Sequence, residues 1–419
     1  MKNFKYVMVA ILLLGLPFVL TSCEDILGHW EKPTPPTTLF DPYSTPLTFE
    51  AKVAGAQVTF NLDACVTGTV QYSLDGNTWI NYDNGTAITL SNVGDKVSFR
   101  GNNSKYSIQF SYSNFVCSEE CYLFGNIMSL LSINDFPEKK ELSEDYTFSC
   151  LFDHNSNILN HSEKKFVLPA ETLSKGCYSG MFHDCQGLTE APALPAMTLS
   201  DYCYYNMFSA TSLQIPPKLP ALTLAERCYS DMFWAGNLIE APELPATTLA
   251  ESCYSGMFSG CDFLVPPELP ATNLEKECYR EMFAGCSKLQ VAPNLPATTL
   301  AVGCYDHMFS KCDILATPIL AAPVLVENCY RGMFYDCFHL SKIICYAVDL
   351  SAPQCIRGWL WPDEAAGTPE FYVSSSYTDT EIATANTLNS DDTVPTDVTI
   401  LGGWKKGNDG IPKNWIIKK

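Results

Sequence analysis

The sequence predicts a mainly β protein with short helical turns: a small N-terminal β-sandwich, then a repeat solenoid closed by a cap at each end. Two features carry that prediction. Between Leu168 and Leu340 one phrase, L-P-A-x-x-L-x-x-x-C-Y-x-x-M-F, is written seven times at intervals of roughly 25 residues, and a fixed period of this length marks units that stack on one another. Ahead of it, residues 47–118 hold short runs in which Val, Thr, Tyr and Phe alternate with polar residues, the pattern of half-buried strands.

The N-terminus reads as an address. Lys2 and Lys5 precede a nearly all-apolar stretch over residues 6–20, and Leu20-Thr21-Ser22-Cys23 follows. This is the layout of a signal peptide over residues 1–22, and it resembles the bacterial lipobox, in which Cys23 becomes the lipid-modified first residue. The apolar run is short for a spanning helix and ends at Glu24 and Asp25, so a lipid anchor is expected rather than a transmembrane segment. Residues 23–46 carry Pro33, Pro35, Pro36, Pro42 and Pro46 among Thr and Ser, a composition suited to an extended tether.

Within residues 47–118 the strand-like runs are Leu47 to Val53, Gln57 to Leu62, Val70 to Leu74, Ala87 to Leu90, Lys96 to Arg100 and Ser107 to Tyr112. Turn signals at Asp75-Gly76-Asn77, Asp83-Asn84-Gly85 and Gly101-Asn102-Asn103 separate them, which predicts an antiparallel sandwich. Residues 119–167 hold two worn copies of the repeat, Cys121-Tyr122-Leu123-Phe124 and Phe148-Ser149-Cys150-Leu151-Phe152. Terminal units are usually atypical, so this segment is expected to be the N-terminal cap. The solenoid proper covers 168–344. Residues 345–419 lose the period and hold four of the seven tryptophans (Trp359, Trp361, Trp404, Trp415), as a C-terminal cap would, with a mobile loop near Ser390 to Thr396.

Inside the repeat, Cys177, Cys203, Cys228, Cys253, Cys278, Cys304 and Cys329 are each followed by Tyr and then by Met-Phe. Six of the seven units place Pro directly after the first Leu (Pro169, Pro195, Pro220, Pro245, Pro270, Pro296). Proline lacks the N–H and disfavours helix in the residue before it. Any helix is therefore confined to a turn or two around Cys-Tyr-x-x-Met-Phe, leaving strand and coil elsewhere in a leucine-rich-repeat outline.

On these residues the units resemble the BspA-like leucine-rich repeats found in surface lipoproteins of Bacteroides-type anaerobes, whose core reads A-F-x-x-C-x-x-L. The matching stretches here are Met181-Phe182-His183-Asp184-Cys185-Gln186-Gly187-Leu188, Met257 to Leu264 and Met282 to Leu289. The lipobox and the Gly407 to Trp415 ending fit the same group, while Met in place of Ala and the proline-rich unit depart from it. The resemblance implies a surface lipoprotein of adhesive type, with neither a catalytic site nor a defined ligand.

Nineteen cysteines in an exported chain invite a disulfide framework, but the second Cys of the unit (Cys185, Cys261, Cys286, Cys312, Cys337) is replaced by Thr211 and Gly236 in two units. A staple could not be dropped in this way. Stacked free thiols are expected instead, with Cys345–Cys355 and Cys117–Cys121 as the candidate exceptions. No C-x-x-C occurs and the six histidines are scattered, so no metal site and no cofactor are expected.

No G-x-S-x-G, H-E-x-x-H or phosphate-cradling loop is present, and a non-catalytic protein is expected. A formal net charge of −20 argues against nucleic acid, which needs a basic footprint. The seven tyrosines after Cys could form an exposed aromatic strip for sugar faces, or a buried ladder; residues that never vary are usually those that stacking requires. Binding is accordingly expected where units differ, at Glu251, Ser252, Arg280, Glu281, Asp306 and His307. The combined expectation is an outer-membrane, cell-surface lipoprotein. It would act as an interaction or adhesion module toward a host or neighbouring-cell protein or glycan. The alternatives are a glycan-binding accessory of nutrient uptake and a structural surface component.

Overall fold

The computed structural model describes residues 40–361 and 368–419; Cys23, the signal peptide and most of the tether lie outside them. The described chain is mainly strand and turn, with one α-helix, Asp379–Ser390. Among the described residues no helix is long and apolar enough to cross a membrane.

Ten strands come first: β1 Leu47–Ala51, β2 Ala56–Asn61, β3 Val70–Ser73, β4 Ile80–Asn81, β5 Ala87–Leu90, β6 Lys96–Gly101, β7 Ser107–Ile108, β8 Ser111–Tyr112, β9 Asn114–Cys117 and β10 Cys121–Asn126. The run expected over Ser107 to Tyr112 is split into β7 and β8, which pair as a hairpin around Phe110 at φ +87°. One sheet takes β10-β1-β6-β3-β4 and the other β5-β2-β9. Alternation fixes which side chains meet: Phe49 and Phe99 from the first sheet pack against Phe115 at 5.0 Å each, and Phe115 stacks on Phe60 at 3.7 Å. All four rings are buried, and aromatic burial of this size dominates a small core.

Cys121-Tyr122-Leu123-Phe124 is not a worn repeat. It lies in β10, antiparallel to β1 in the register Phe49↔Leu123, and parallel on its other side to β11 (Ile158–Asn160) and β12 (Phe166–Val167). Its residues are almost all buried, as expected for a strand with neighbours on both edges. The Thr147-Phe148-Ser149-Cys150-Leu151-Phe152 copy does fall in register: Phe148 stacks on Tyr178 and Phe152 on Phe182, at 6.1 and 5.2 Å.

The stretch around Cys-Tyr-x-x-Met-Phe forms a run of turns rather than a helical turn. Every fourth residue is left-handed, as at Gly176, Gly180 and Asp184 (φ +59°, +60° and +54°). Amide groups alternate in destination. Ser179, Met181 and His183 donate back three residues within the unit, while Tyr178, Gly180 and Phe182 donate to Cys203, Tyr205 and Met207 of the next. Backbone polar groups are thus satisfied without a helix or a ladder. The pattern extends one unit beyond each end of the repeats, to Tyr146–His154 and to Gln354–Leu360, where Tyr330 donates to Cys355 and Phe334 to Trp359.

On the proline side neighbouring units meet only in isolated parallel bridges such as Thr172↔Thr198, Glu190↔Ile215 and Asn273↔Thr299. Proline supplies no ladder donor. The unit with Ala321 in place of that proline builds a strand, Ala316–Leu320, which accommodates Pro318 because it lies at the edge of its sheet. This strand opens a parallel sheet with Lys342–Cys345, Glu370–Tyr372 and Ile416–Lys418.

The seven tyrosines are buried, with successive rings 5.8–6.0 Å apart. No exposed aromatic strip exists there. Trp359, Trp404 and Trp415 are buried as well, so these C-terminal tryptophans are core and offer no sugar platform. The segment expected to be a mobile loop near Ser390 is tied down: the buried Lys406 ammonium donates to the carbonyls of Leu388, Asp391 and Val394, at the helix end where a cation is favoured.

Candidate functional site

Because every fourth residue of the turn run is left-handed, the side chains there project along the stack, each over its counterpart in the next unit. His307 lies over Gly332 and Tyr146 over Gly176; a Cβ added at Gly332 would sit 2.3 Å from the His307 ring. These columns, Cys−1 and Cys+3 in each unit, hold three of the six residues expected to bind: Ser252, Glu281 and His307.

The structure separates the six. Ser252 and Asp306 are buried and cannot offer a surface, which corrects their assignment. Ser252 sits at φ +53° with its hydroxyl 3.4 Å from Glu277. Asp306 accepts from Arg331 at 3.0 and 2.5 Å and faces the His307 Nδ1 at 2.6 Å. Burial raises its pKa, but the bonds from His307 and Arg331 outweigh that and leave the carboxyl below its ordinary value. Arg280 bonds Glu281 at 2.9 Å and lies 3.7 Å from Asp306. Glu251 pairs with Lys276 at 2.6 Å, apart from the others.

Glu281 and His307 do come together. With Lys311 and Trp234 they line a depression of about 370 Å3 that also includes Gly260 and Gly285. Trp234 is half-exposed and stands directly after the unit's Phe, a position that holds Ser or Ala in most other units. An indole beside glycines and charged groups can take a flat apolar face while its rim takes hydroxyls.

A second feature was missed because its residues are unremarkable singly. Ile215, Ile239, Leu264, Val265, Val291 and Leu315 are all exposed, by 49–74 %, at one or the other of two adjacent positions in five consecutive units. Main-chain bonds from Ile239 to Gln214 and from Leu315 to Gln290 set these segments of neighbouring units side by side, with the glutamines next to Ile215 and Val291. An aliphatic stripe repeated along an acidic protein is the kind of surface that marks a contact site.

A further cavity of about 390 Å3 opens where β10, β11 and β12 meet the first repeats. Its cations are spoken for: Lys164 pairs with Glu50, and Lys165 with Glu190 at 2.7 Å. The His161 Nδ1 accepts from the amides of Glu163 and Lys164, and burial lowers its pKa. It is therefore neutral at pH 7.

The cysteines of the described residues are all free. Burial pushes the Cys177, Cys253 and Cys304 thiols up to about 12, far from nucleophilic. Compared with protein-family models, curated proteins and solved structures, the chain finds no match in any of the three.

Proposed function

We propose that this chain is a BspA-like, lipid-anchored surface protein whose repeats form a leucine-rich-repeat solenoid beyond a small β-sandwich. It acts as a non-catalytic interaction module. The reading rests on the aliphatic stripe from Ile215 to Leu315, which five consecutive units leave exposed, in a chain whose other repeated positions are committed to stacking. A protein partner on a host or neighbouring cell is the occupant such a stripe suits. Anchoring through Cys23 keeps the array at the outer membrane. The test is attachment of cells displaying the chain: Ile239→Ser, Leu264→Ser and Val265→Ser together should abolish attachment to protein-coated surfaces. Unchanged attachment would sink the reading. In parallel, Cys23→Ala should remove the chain from the membrane fraction.

The Trp234 depression favours a second reading, glycan binding. There Trp234→Ala should erase signals on a glycan array and leave protein attachment intact.

A further inference from the structure

We infer that Asp153, His154 and His183 form a site for a borderline divalent transition ion such as Zn2+, with Asp184 holding His154 in the ligating tautomer. The sequence sets this up by reversing a dipeptide. Phe152 is followed by Asp153-His154, and Phe182, one unit on, by His183-Asp184. Stacking Phe152 on Phe182 at 5.2 Å lays each pair across the other.

The three candidate ligand atoms lie within 4.8 Å of one another. His183 Nδ1 is 2.8 Å from Asp153 Oδ1, and His154 Nε2 is 3.7 Å from the same oxygen. The far nitrogen of His154, Nδ1, is 2.9 Å from Asp184 Oδ2. A ring that gives its Nδ1–H to a carboxylate presents a bare lone pair at Nε2, which is how metal-binding imidazoles are held. That lone pair faces the Asp153 carboxylate at a distance too long for a hydrogen bond, and a cation between them satisfies both. Two further bonds support the set: Tyr112 donates to the other Asp153 oxygen at 3.2 Å, and Gln186 to Asp184 at 3.1 Å. Two ordinary His–Asp bonds between units would account for the 2.8 and 2.9 Å contacts, but not for the Nε2 turned toward Asp153.

Two imidazoles and one carboxylate select zinc-like ions over calcium or magnesium, which take all-oxygen sets. Ligands around tetrahedral zinc lie about 3.3 Å apart. Binding displaces the proton shared by His183 Nδ1 and Asp153 Oδ1 to solvent and lets that 2.8 Å pair part slightly around the ion, while His154, an exposed side chain, closes the other gap by rotation. In the units after Asp184 the His154 position holds Ala, Ala, Gly, Gly, Lys311 and Asp336, and the His183 position holds Ser, Trp, Ser, Ala, Ser and Tyr, with no second histidine at either, so the site belongs to these two units alone.

The experiment is titration of ZnCl2 into the full chain in detergent, followed by calorimetry, with Co2+ absorbance as a second readout. One equivalent should bind, and the Co2+ form should lack thiolate charge-transfer bands. His154→Ala and His183→Ala, which install a residue other units already carry there, should each weaken uptake more than tenfold. Asp184→Asn should weaken it by about 10–100-fold, and it carries the test if an alanine variant misfolds. His339→Ala, which removes the imidazole paired with Asp313, should change nothing. Absent uptake by the unaltered chain, uptake surviving loss of both histidines, or thiolate bands with Co2+ would each overturn the assignment.

Discussion

The thiol of Cys286 donates to the main-chain carbonyl of Phe258, one unit earlier, at 3.1 Å. The bond recurs wherever the second cysteine is present: Cys185 to Phe152, Cys261 to Phe233, Cys312 to Phe283 and Cys337 to Phe309, at 2.9–3.1 Å. It explains why the position tolerates exchange. In the unit with Thr211 the hydroxyl bonds Phe208 of its own unit at 2.8 Å, and Asn155, one unit before Cys185, reaches the Phe115 carbonyl at 3.0 Å. The position carries a small buried donor in every unit but the one with Gly236, where the Phe208 carbonyl it would reach is bonded by Thr211 instead, and a disulfide would remove that donor.

Cys286→Ala should therefore cost about 0.5–1.5 kcal/mol in urea unfolding, the net worth of one hydrogen bond, because the Phe258 carbonyl keeps the Cys261 amide as a donor. Cys286→Ser should recover part of it. Alkylation in the folded state should label few thiols at pH 8, whereas the unreduced, denatured protein should titrate as free thiol throughout the repeats.

Phe258 lies between Phe233 and Phe283, with centroids 5.9 and 5.8 Å away, and its edge meets Phe263 at 5.3 Å. Phe258→Ala should destabilise the chain by about 3–5 kcal/mol. Hydrogen exchange should show the loss spreading to both neighbouring units rather than remaining local.

Gly332 at φ +56° lies beneath the His307 ring. Gly332→Ala should be destabilising through both backbone and clash, by roughly 1–3 kcal/mol. Adding His307→Ala should restore the part due to the ring and leave the backbone part. A double-mutant cycle read by urea midpoints separates the two; full additivity would mean that the ring and residue 332 do not meet.

Asp306, faced by Arg331, Arg280 and His307, is held below its unfolded value of 3.8. The folded chain binds fewer protons at this site, so its stabilisation is present above the unfolded pKa and is lost as pH falls through the folded one. Asp306→Asn should lower stability at neutral pH and flatten the acid side of the stability profile, below about pH 5. An unchanged acid limb would place the loss on other carboxylates.

The columns of Cys, Tyr, Met and Phe were legible because they recur without exception from Cys177 to Phe334, and stacking alone demands that. The helical turn was the wrong local reading. Buried residues at Cys, Tyr, Met and Phe occupy steps 0, 1, 4 and 5, which suit one face of a helix nearly as well as a period of four. The left-handed residue that closes the period of four is Gly at 176 and 180 but Tyr202, Asn206 and Ala210 one unit later, so no glycine signature exposes it. Within the candidate site, variability pointed to Glu281 and His307, which the fold brings to one depression. It also pointed to Ser252 and Asp306, which vary because each is matched to a charged neighbour. The His154–His183 meeting was hidden by the 28 residues between them, a distance that only the stacking register cancels.

The alternation of amide bonds, one back into the unit and the next onward to its neighbour, gives each unit identical donors on one side and identical acceptors on the other. Removing a whole repeat, for instance residues 253–277, would bring the Tyr229 amide opposite the Cys278 carbonyl with no group left unmatched. Length is thus a quantity this architecture can change in whole steps without redesigning a core or an end. A lineage that gains or loses copies alters how far the array reaches, and how many aliphatic residues it displays in a row, while every surviving contact keeps its geometry.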